Sequence, residues 1–281
     1  MLLAPPVLLP FEFERTTLLC PTYGQAHNPC VLLLHGLNED AQIWNTILPT
    51  VAQKYYVLTP QLPGYGNTPF LPRKTWSMQW LANWIKALFQ ALPPATKKPV
   101  LAGHSMGGYI AANFAYKHAQ HLTGLLFVHS TTLPDTAERR KLRLKSMALI
   151  ESHGLLPYLQ PFFKQFLTPQ YAQANPAKLT ELTNNAANFN WQAIVGSLNA
   201  IRERQNRQNI LNNPQLKVGF IMGKLDAFVP YAQNLTEIAQ AKSSVYAGLL
   251  PNAGHVSMLE APEALLTHLL TFFDYCFEQI K

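Results

Sequence analysis

The segment Gly103-His104-Ser105-Met106-Gly107 lies between an apolar run at residues 99–102 and an amphipathic stretch at residues 106–118. A short, continuously apolar run indicates a buried strand, and the stretch that follows predicts a helix. A glycine two residues before and two residues after the serine allows a tight strand-to-helix turn that raises Ser105 out of the sheet edge. Because a serine hydroxyl is a weak nucleophile at neutral pH, Ser105 needs a base and a third group that orients the base.

Two residues far downstream meet this need. Asp226 follows an apolar run at residues 216–222, at the carboxyl end of a predicted strand, where open α/β sheets hold their sites. His255 follows another predicted strand at residues 244–249. We therefore expect Ser105 as nucleophile, His255 as general base and Asp226 as the acid that orients it. Asp135, near the end of the preceding strand, is the alternative acid, in which case Asp226 is only a turn residue.

Acyl transfer also requires hydrogen-bond donors for a developing oxyanion. The backbone N–H of Met106 follows the nucleophile at a helix start, where the helix dipole adds stabilisation. The N–H of Leu37 lies in the loop after His35-Gly36. We predict that these two amides form the oxyanion hole.

Strand and helix signals alternate along most of the chain. Strands are predicted at residues 30–34, 55–58, 99–102, 125–128, 216–222 and 244–249, and helices at residues 40–54, 75–92, 106–118, 231–239 and 262–277. This alternation predicts an α/β fold, a mostly parallel sheet with helices on both faces.

Residues 131–213 show no strand signal. They contain amphipathic stretches at residues 139–151, 155–166, 179–188 and 191–202, and ten basic against five acidic side chains. We expect a core of residues 1–130 and 214–281 that carries an inserted helical cap at residues 131–213.

The chain resembles the α/β-hydrolase superfamily in five motifs: His35-Gly36, Leu62-Pro63-Gly64-Tyr65-Gly66, the GHSMGG segment at residues 103–108, Gly223…Asp226…Pro230, and Gly254-His255. More narrowly, it resembles the capped esterase, enol-lactonase and perhydrolase-like group. The resemblance implies a cofactor-free hydrolase with Ser105, Asp226 and His255 as its triad. One position departs from the pattern, because the family usually has an acid where this chain has Gln61.

Composition and charge narrow the classes of function. The chain has 281 residues, of which 48% are hydrophobic and 13% charged, which excludes a disordered or collagen-like protein. Its longest apolar stretch is broken by prolines, so no membrane span is expected. The N-terminus lacks the features of a secretory signal, and a cytoplasmic location is expected. The three cysteines, Cys20, Cys30 and Cys276, follow no metal spacing and are expected to be reduced and unpaired.

Other side chains have a structural and a functional interpretation. The basic run at residues 139–145 either forms a solvated helix face or attracts an anionic substrate or acidic partner. His35 and His104 are expected to be structural. Aromatic cap residues either pack within the cap or line an acyl pocket: Tyr158, Phe162, Phe163, Phe166 and Trp191. Five other histidines show no ligand spacing and are expected to be surface or core residues: His118, His121, His129, His153 and His268. No metal is expected.

The sequence thus predicts hydrolysis of a carboxylic ester, lactone or thioester through an acyl-enzyme. Two alternatives remain open. The same triad serves carbon–carbon bond hydrolysis and cofactor-free perhydrolysis, and the pocket could instead belong to a non-catalytic receptor for a small ligand. The expected partner is a small-molecule substrate and not nucleic acid, and the oligomeric state, monomer or homodimer, is left open.

Overall fold

The computed structural model describes residues 4–94, 96 and 98–278, which are built around an eight-stranded sheet. Its strands are β1 (Val7–Phe13), β2 (Thr16–Tyr23), β3 (Cys30–Leu34), β4 (Tyr56–Leu58), β5 (Val100–His104), β6 (Gly124–Val128), β7 (Lys217–Gly223) and β8 (Val245–Leu250). They lie in the order β1-β2-β4-β3-β5-β6-β7-β8. β2 pairs antiparallel with β1 and β4, and all other pairs are parallel. Every residue of β3, β5 and β6 is buried, so both faces of the sheet are covered.

The helices confirm most of the predicted elements. They are α1 (Leu48–Lys54), α2 (Met78–Gln90), α3 (Met106–His118), α4 (Ala137–His153), α5 (Leu156–Phe166), α6 (Pro169–Ala174), α7 (Pro176–Ala187), α8 (Trp191–Arg202), α9 (Tyr231–Ala239), α10 (Ser257–Glu260) and α11 (Pro262–Phe277). The single helix predicted at residues 40–54 was wrong. A short 3₁₀ helix at Ala41–Trp44 precedes α1, which begins just before Pro49. Proline lacks the N–H that a helix interior requires, so Pro49 occupies the first turn of a new helix.

The hairpin of β1 and β2 was not predicted. Its turn residues, Glu14 and Arg15, both have positive φ (47° and 63°), without the Asn-Gly or Asp-Gly pair typical of such turns. Pro10 lies within β1 opposite Leu19. An edge strand tolerates proline because half of its backbone groups have no strand partner.

Five α-helices, α4 to α8, lie between β6 and β7; we call them the inserted helices. Only four were predicted, since α6 is short and polar. Two hydrogen bonds join the inserted helices to the loops that follow β3 and β4. The amide of Asn38 donates to the Tyr158 hydroxyl at 2.9 Å, and the Tyr65 hydroxyl donates to Ser197 at 2.8 Å.

The three cysteines are free and buried, in agreement with the expectation of unpaired thiols. Burial raises the pKa of Cys30 and of Cys276 to about 12, so both thiols stay protonated at neutral pH. Within residues 4–94, 96 and 98–278, no helix has the length and apolarity needed to cross a membrane.

Candidate active site

Ser105 occupies the sharp turn between β5 and α3. Its backbone has φ 48° and ψ −115°, a conformation that L-residues rarely adopt and that is found where surrounding structure enforces it. Its N–H donates to the carbonyl of Val128 in the neighbouring strand at 3.0 Å. Ser105 is partly exposed although the residues on both sides of it are buried. The turn therefore presents the hydroxyl to solvent, as the sequence predicted.

The two flanking glycines are required by close backbone contacts. A Cβ atom on Gly103 would overlap the backbone of Gly107. A Cβ atom on Gly107 would lie 2.6 Å from the carbonyl oxygen of Leu34. Real Cβ contacts are longer, so glycine at 103 lets β5 approach α3 this closely, and glycine at 107 lets α3 approach the end of β3.

His255 and Asp226 meet at the same edge of the sheet. Nδ1 of His255 lies 2.9 Å from Oδ2 and 3.0 Å from Oδ1 of Asp226. Oδ1 also accepts the backbone N–H groups of Phe228 and Val229, at 2.8 and 2.9 Å. Burial acts to raise the pKa of Asp226, but the His255 charge and the hydrogen bonds from two histidines outweigh it and hold that pKa well below its usual range. Asp226 is therefore ionised and can orient His255.

Ser105 and His255 line one cavity of about 220 Å³, together with Leu37. Among the described residues, the hydrogen bonds of the His255 ring join it to Asp226 and not to the Ser105 hydroxyl. The structure thus pairs base and acid directly and brings the serine to the same cavity.

The two predicted oxyanion donors flank Ser105. Met106 is the first residue of α3, and Leu37 lies in the loop after β3. Within the described part of the chain, neither N–H donates to another protein group. His35 joins the loop after β3, which contains Leu37, to the loop after β4, since its Nε2 accepts the N–H of Leu62 at 3.0 Å. This agrees with the structural role predicted for His35.

A buried ion pair that sequence reasoning missed lies below the site. Nδ1 of His104 is 2.5 Å from Glu39, and Nε2 is 2.8 Å from the backbone carbonyl of His255. Burial acts to lower the pKa of His104, but the charge and hydrogen bond of Glu39 outweigh it and raise that pKa. Burial acts to raise the pKa of Glu39, and His104 more than reverses this, so the two shifts favour the charged form of each group. His104 is structural, as predicted, but its partner 65 residues away could not be identified from spacing.

Asp135, the alternative acid, is bound elsewhere. Its Oδ1 accepts from Arg204 at 2.6 Å and its Oδ2 from Arg143 at 3.2 Å. The carboxylate that contacts His255 is that of Asp226.

The inserted helices supply part of the cavity wall. Arg139, Arg143 and Phe162 line it, and Phe228 from the loop after β7 packs against His255 with ring centroids 4.9 Å apart and ring planes tilted by 33°. The Arg139 guanidinium donates to the carbonyl of Phe228 at 2.7 Å. Of the five aromatic residues considered for an acyl pocket, Phe162 lines the cavity, Tyr158, Phe163 and Phe166 are buried, and Trp191 is 45% exposed.

Gln61 replaces the acid that the family usually has without leaving its loop open. Its side-chain oxygen accepts the N–H of Asn67 at 2.6 Å and so closes the turn between them. A carboxylate would offer the same acceptor, which explains how an amide serves here.

No group of three or more His, Cys, Asp or Glu side chains in the described ranges is arranged to hold a metal ion. The chemistry available at this site is that of a serine, an imidazole, a carboxylate and two backbone amides.

Comparison with known proteins agrees with the fold. Residues 31–267 match the model of the Alpha/beta hydrolase family. A pimeloyl-[acyl-carrier protein] methyl ester esterase of Aeromonas hydrophila is 26% identical and covers 87% of this chain and 94% of its own length. A solved esterase from Thermogutta terrifontis superposes with a TM-score of 0.86 at 21% identity, covering 97% of this chain and 99% of that one. The enol-lactonase from Burkholderia xenovorans LB400 gives a TM-score of 0.82 at 20% identity, over 94% of this chain and 99% of that one.

Proposed function

We propose that this chain cleaves a carboxylic ester, lactone or thioester through an acyl-enzyme on Ser105. The chain belongs to the alpha/beta hydrolase family and is a hydrolase. The observation that carries the proposal is the position of His255. Its ring is bound to an ionised Asp226 and lines the same cavity as Ser105. This is the constellation that converts a serine hydroxyl into a nucleophile.

In the proposed reaction, His255 removes the Ser105 proton as Oγ attacks the substrate carbonyl. His255 then returns that proton to the leaving alcohol or thiol. Water, activated by the same imidazole, releases the acid and regenerates Ser105. Asp226 keeps Nδ1 of His255 protonated, so that Nε2 is free to accept the proton.

The N–H groups of Leu37 and Met106 stabilise the oxyanion formed in each step. Removing one such donor typically costs about 2.7–4 kcal/mol of transition-state stabilisation. Both groups are backbone amides fixed by loop and helix geometry, so they need no reorganisation during the reaction.

Residues 131–213 act as a cap in this proposal. Support comes from the cavity wall, to which the inserted helices contribute Arg139, Phe162 and Ile201 opposite Ser105. The apolar side chains suit an acyl group. The similar Aeromonas hydrophila protein is named for a methyl ester on a carrier-bound acyl chain, which makes a methyl ester one candidate substrate.

Labelling with a fluorophosphonate tests the nucleophile before the substrate is known. Attack by Oγ of Ser105 forms an oxygen–phosphorus bond and expels fluoride, so intact mass should show one adduct. Ser105→Ala should show none, whereas Ser152→Ala, which changes an exposed serine of α4, should label like the wild type. Equal labelling of Ser105→Ala and wild type would refute Ser105 as nucleophile. A labelled enzyme that cleaves ketones and not esters would favour carbon–carbon hydrolysis.

A further inference from the structure

Asp226 contacts a second histidine that the proposed reaction does not use. His129 follows β6, and its Nδ1 lies 3.5 Å from Oδ2 of Asp226. The Nε2 atom of the same ring lies 2.7 Å from Oγ of Ser257. The side chains of His129 and Asp226 are fully buried, as is Ser257. Ser257, His129 and Asp226 therefore form a second row of contacting side chains. This row shares Asp226 with His255.

Ser257 cannot serve as a second nucleophile. It has no solvent-exposed surface, so a substrate carbonyl cannot reach its hydroxyl. Ser257 and His129 must therefore act on Asp226 and not on a ligand.

The contacts select one tautomer of His129. If Nε2 carried the proton, the Nδ1 lone pair would face a carboxylate oxygen in a buried site, which is unfavourable. If Nδ1 carries the proton, it points to Asp226, and the Ser257 hydroxyl donates to Nε2. This second arrangement pairs Ser257 with Nε2 and directs the Nδ1 proton at Asp226. The Nδ1–Oδ2 distance of 3.5 Å is long for a hydrogen bond, and among the described residues Nδ1 has no other hydrogen-bond partner.

The two oxygens of Asp226 have unequal sets of donors. Oδ1 accepts two backbone N–H groups and shares the Nδ1–H of His255 with Oδ2. Oδ2 has the shared His255 proton and, beyond it, only His129 within the described chain. Without His129, Oδ2 would be buried with a single shared donor.

The surroundings keep His129 neutral. Burial lowers the pKa of His129 to about 4, and the nearby rings of His104 and His255 act in the same direction. The centroids of those two rings lie 5.9 and 6.0 Å from that of His129, and Asp226 is the only carboxylate that contacts His129 among the described residues. A neutral imidazole can donate to Asp226 without competing with His255 for its charge.

The main chain holds His129 in place. Its φ is 48°, in the left-handed region that side chains with a Cβ avoid. Its N–H donates to the carbonyl of Ile221 in β7 at 2.9 Å. The strained conformation turns the ring away from the path of β6 and toward Asp226.

We propose that His129 is a positioning residue that donates Nδ1–H to Oδ2 of Asp226, with Ser257 fixing the tautomer of His129. In this way His129 holds the Asp226 carboxylate in the orientation that binds His255. The catalytic consequence rests on the function proposed above. The tautomer does not depend on it, so the two can fail separately.

The first test reads the tautomer by NMR of protein labelled with ¹⁵N-histidine, at pH 7. The resonances lost in His129→Asn identify His129. We expect Nδ1 to be protonated and Nε2 to be a hydrogen-bonded acceptor. A proton on Nε2, or on both nitrogens, would overturn the proposal whether or not the protein is a hydrolase.

The second test measures the rate constant of fluorophosphonate labelling. His129→Phe keeps the ring volume but removes the donor, and we expect labelling about tenfold slower. His129→Asn retains a donor near the Nδ1 position and should recover to within about threefold of wild type. His268→Phe, which changes a histidine bound to Tyr246 far along the chain, is the matched control and should label normally.

Wild-type rates in His129→Phe would show that the ring only fills space. Equal losses in His129→Phe and His129→Asn would show that the Nδ1 donor does not account for the effect, and either result would overturn the proposal. If His129→Phe does not fold, Ser257→Ala takes its place. That variant frees the tautomer and should slow labelling, and an unchanged rate would count against the proposal.

Discussion

His104 donates a hydrogen bond from Nε2 to the backbone carbonyl of His255, across 2.8 Å and 151 residues of sequence. Its other nitrogen binds Glu39, which in turn accepts the N–H of Gly36. One buried ion pair therefore connects the loops after β3, β5 and β8. These loops carry the proposed oxyanion donor, nucleophile and base.

Glu39→Gln is expected to lower the free energy of unfolding by about 3 kcal/mol, because removing one partner leaves His104 buried without its counter-charge. Urea denaturation measures this loss. Glu151→Gln, at an exposed position of α4, is the control and should change little. A loss as small as that of the control would mean that the pair is not ionised.

The same pair predicts a pH window for that difference. Because the pKa of His104 is raised on folding, its stabilisation is complete below about pH 6.5 and is lost as pH rises through the folded value. Because the pKa of Glu39 is lowered, its contribution is present above about pH 4.3 and is lost as pH falls through the folded value. The free energy of unfolding of the wild type should therefore exceed that of Glu39→Gln most between about pH 4.3 and 6.5. A difference that stays constant from pH 4 to 9 would argue against it.

Gly103→Ala should destabilise the fold by about 3 kcal/mol or more, because the new Cβ meets backbone and not a movable side chain. Gly154→Ala is the control: nothing lies within 4 Å of its Cβ position, so only its backbone conformation (φ 80°, ψ −176°), which non-glycine residues rarely adopt, should cost about 1–3 kcal/mol. Thermal or urea unfolding compares the two. Equal effects would contradict the close approach of β5 and α3.

Arg139 should favour anionic substrates. It lines the cavity with Ser105, and no ion pair within the described ranges includes it. Arg139→Gln should lower kcat/KM for a carboxylated ester up to about fivefold and leave a neutral ester unchanged. Lys141→Gln removes the same charge from an exposed position of α4 outside the cavity. Added salt should reduce the wild-type preference. Equal salt dependence for both esters would exclude steering.

The sequence was sufficient to predict that Ser105, Asp226 and His255 lie at one edge of the sheet, because each follows an apolar strand and parallel strands end at one edge. Their local spacing carries the information. His129 and Glu39 were not identified because their partners are set by tertiary contact, and their immediate sequence has no pattern. The β1–β2 turn was missed because Glu14 and Arg15 are residue types that rarely adopt positive φ, the conformation that this turn requires.

Asn38 follows Leu37, the residue proposed to offer an oxyanion donor. The side chain of Asn38 binds Tyr158 of α5 through a single buried hydrogen bond. Displacing α5 to admit a substrate would leave the Asn38 amide without its acceptor and release the loop that carries Leu37. On the proposed function, opening of the cavity by α5 and assembly of the oxyanion hole would thus be thermodynamically linked. By reciprocity, a bound anion that tightens the Leu37 loop favours the closed position of α5 to the same extent.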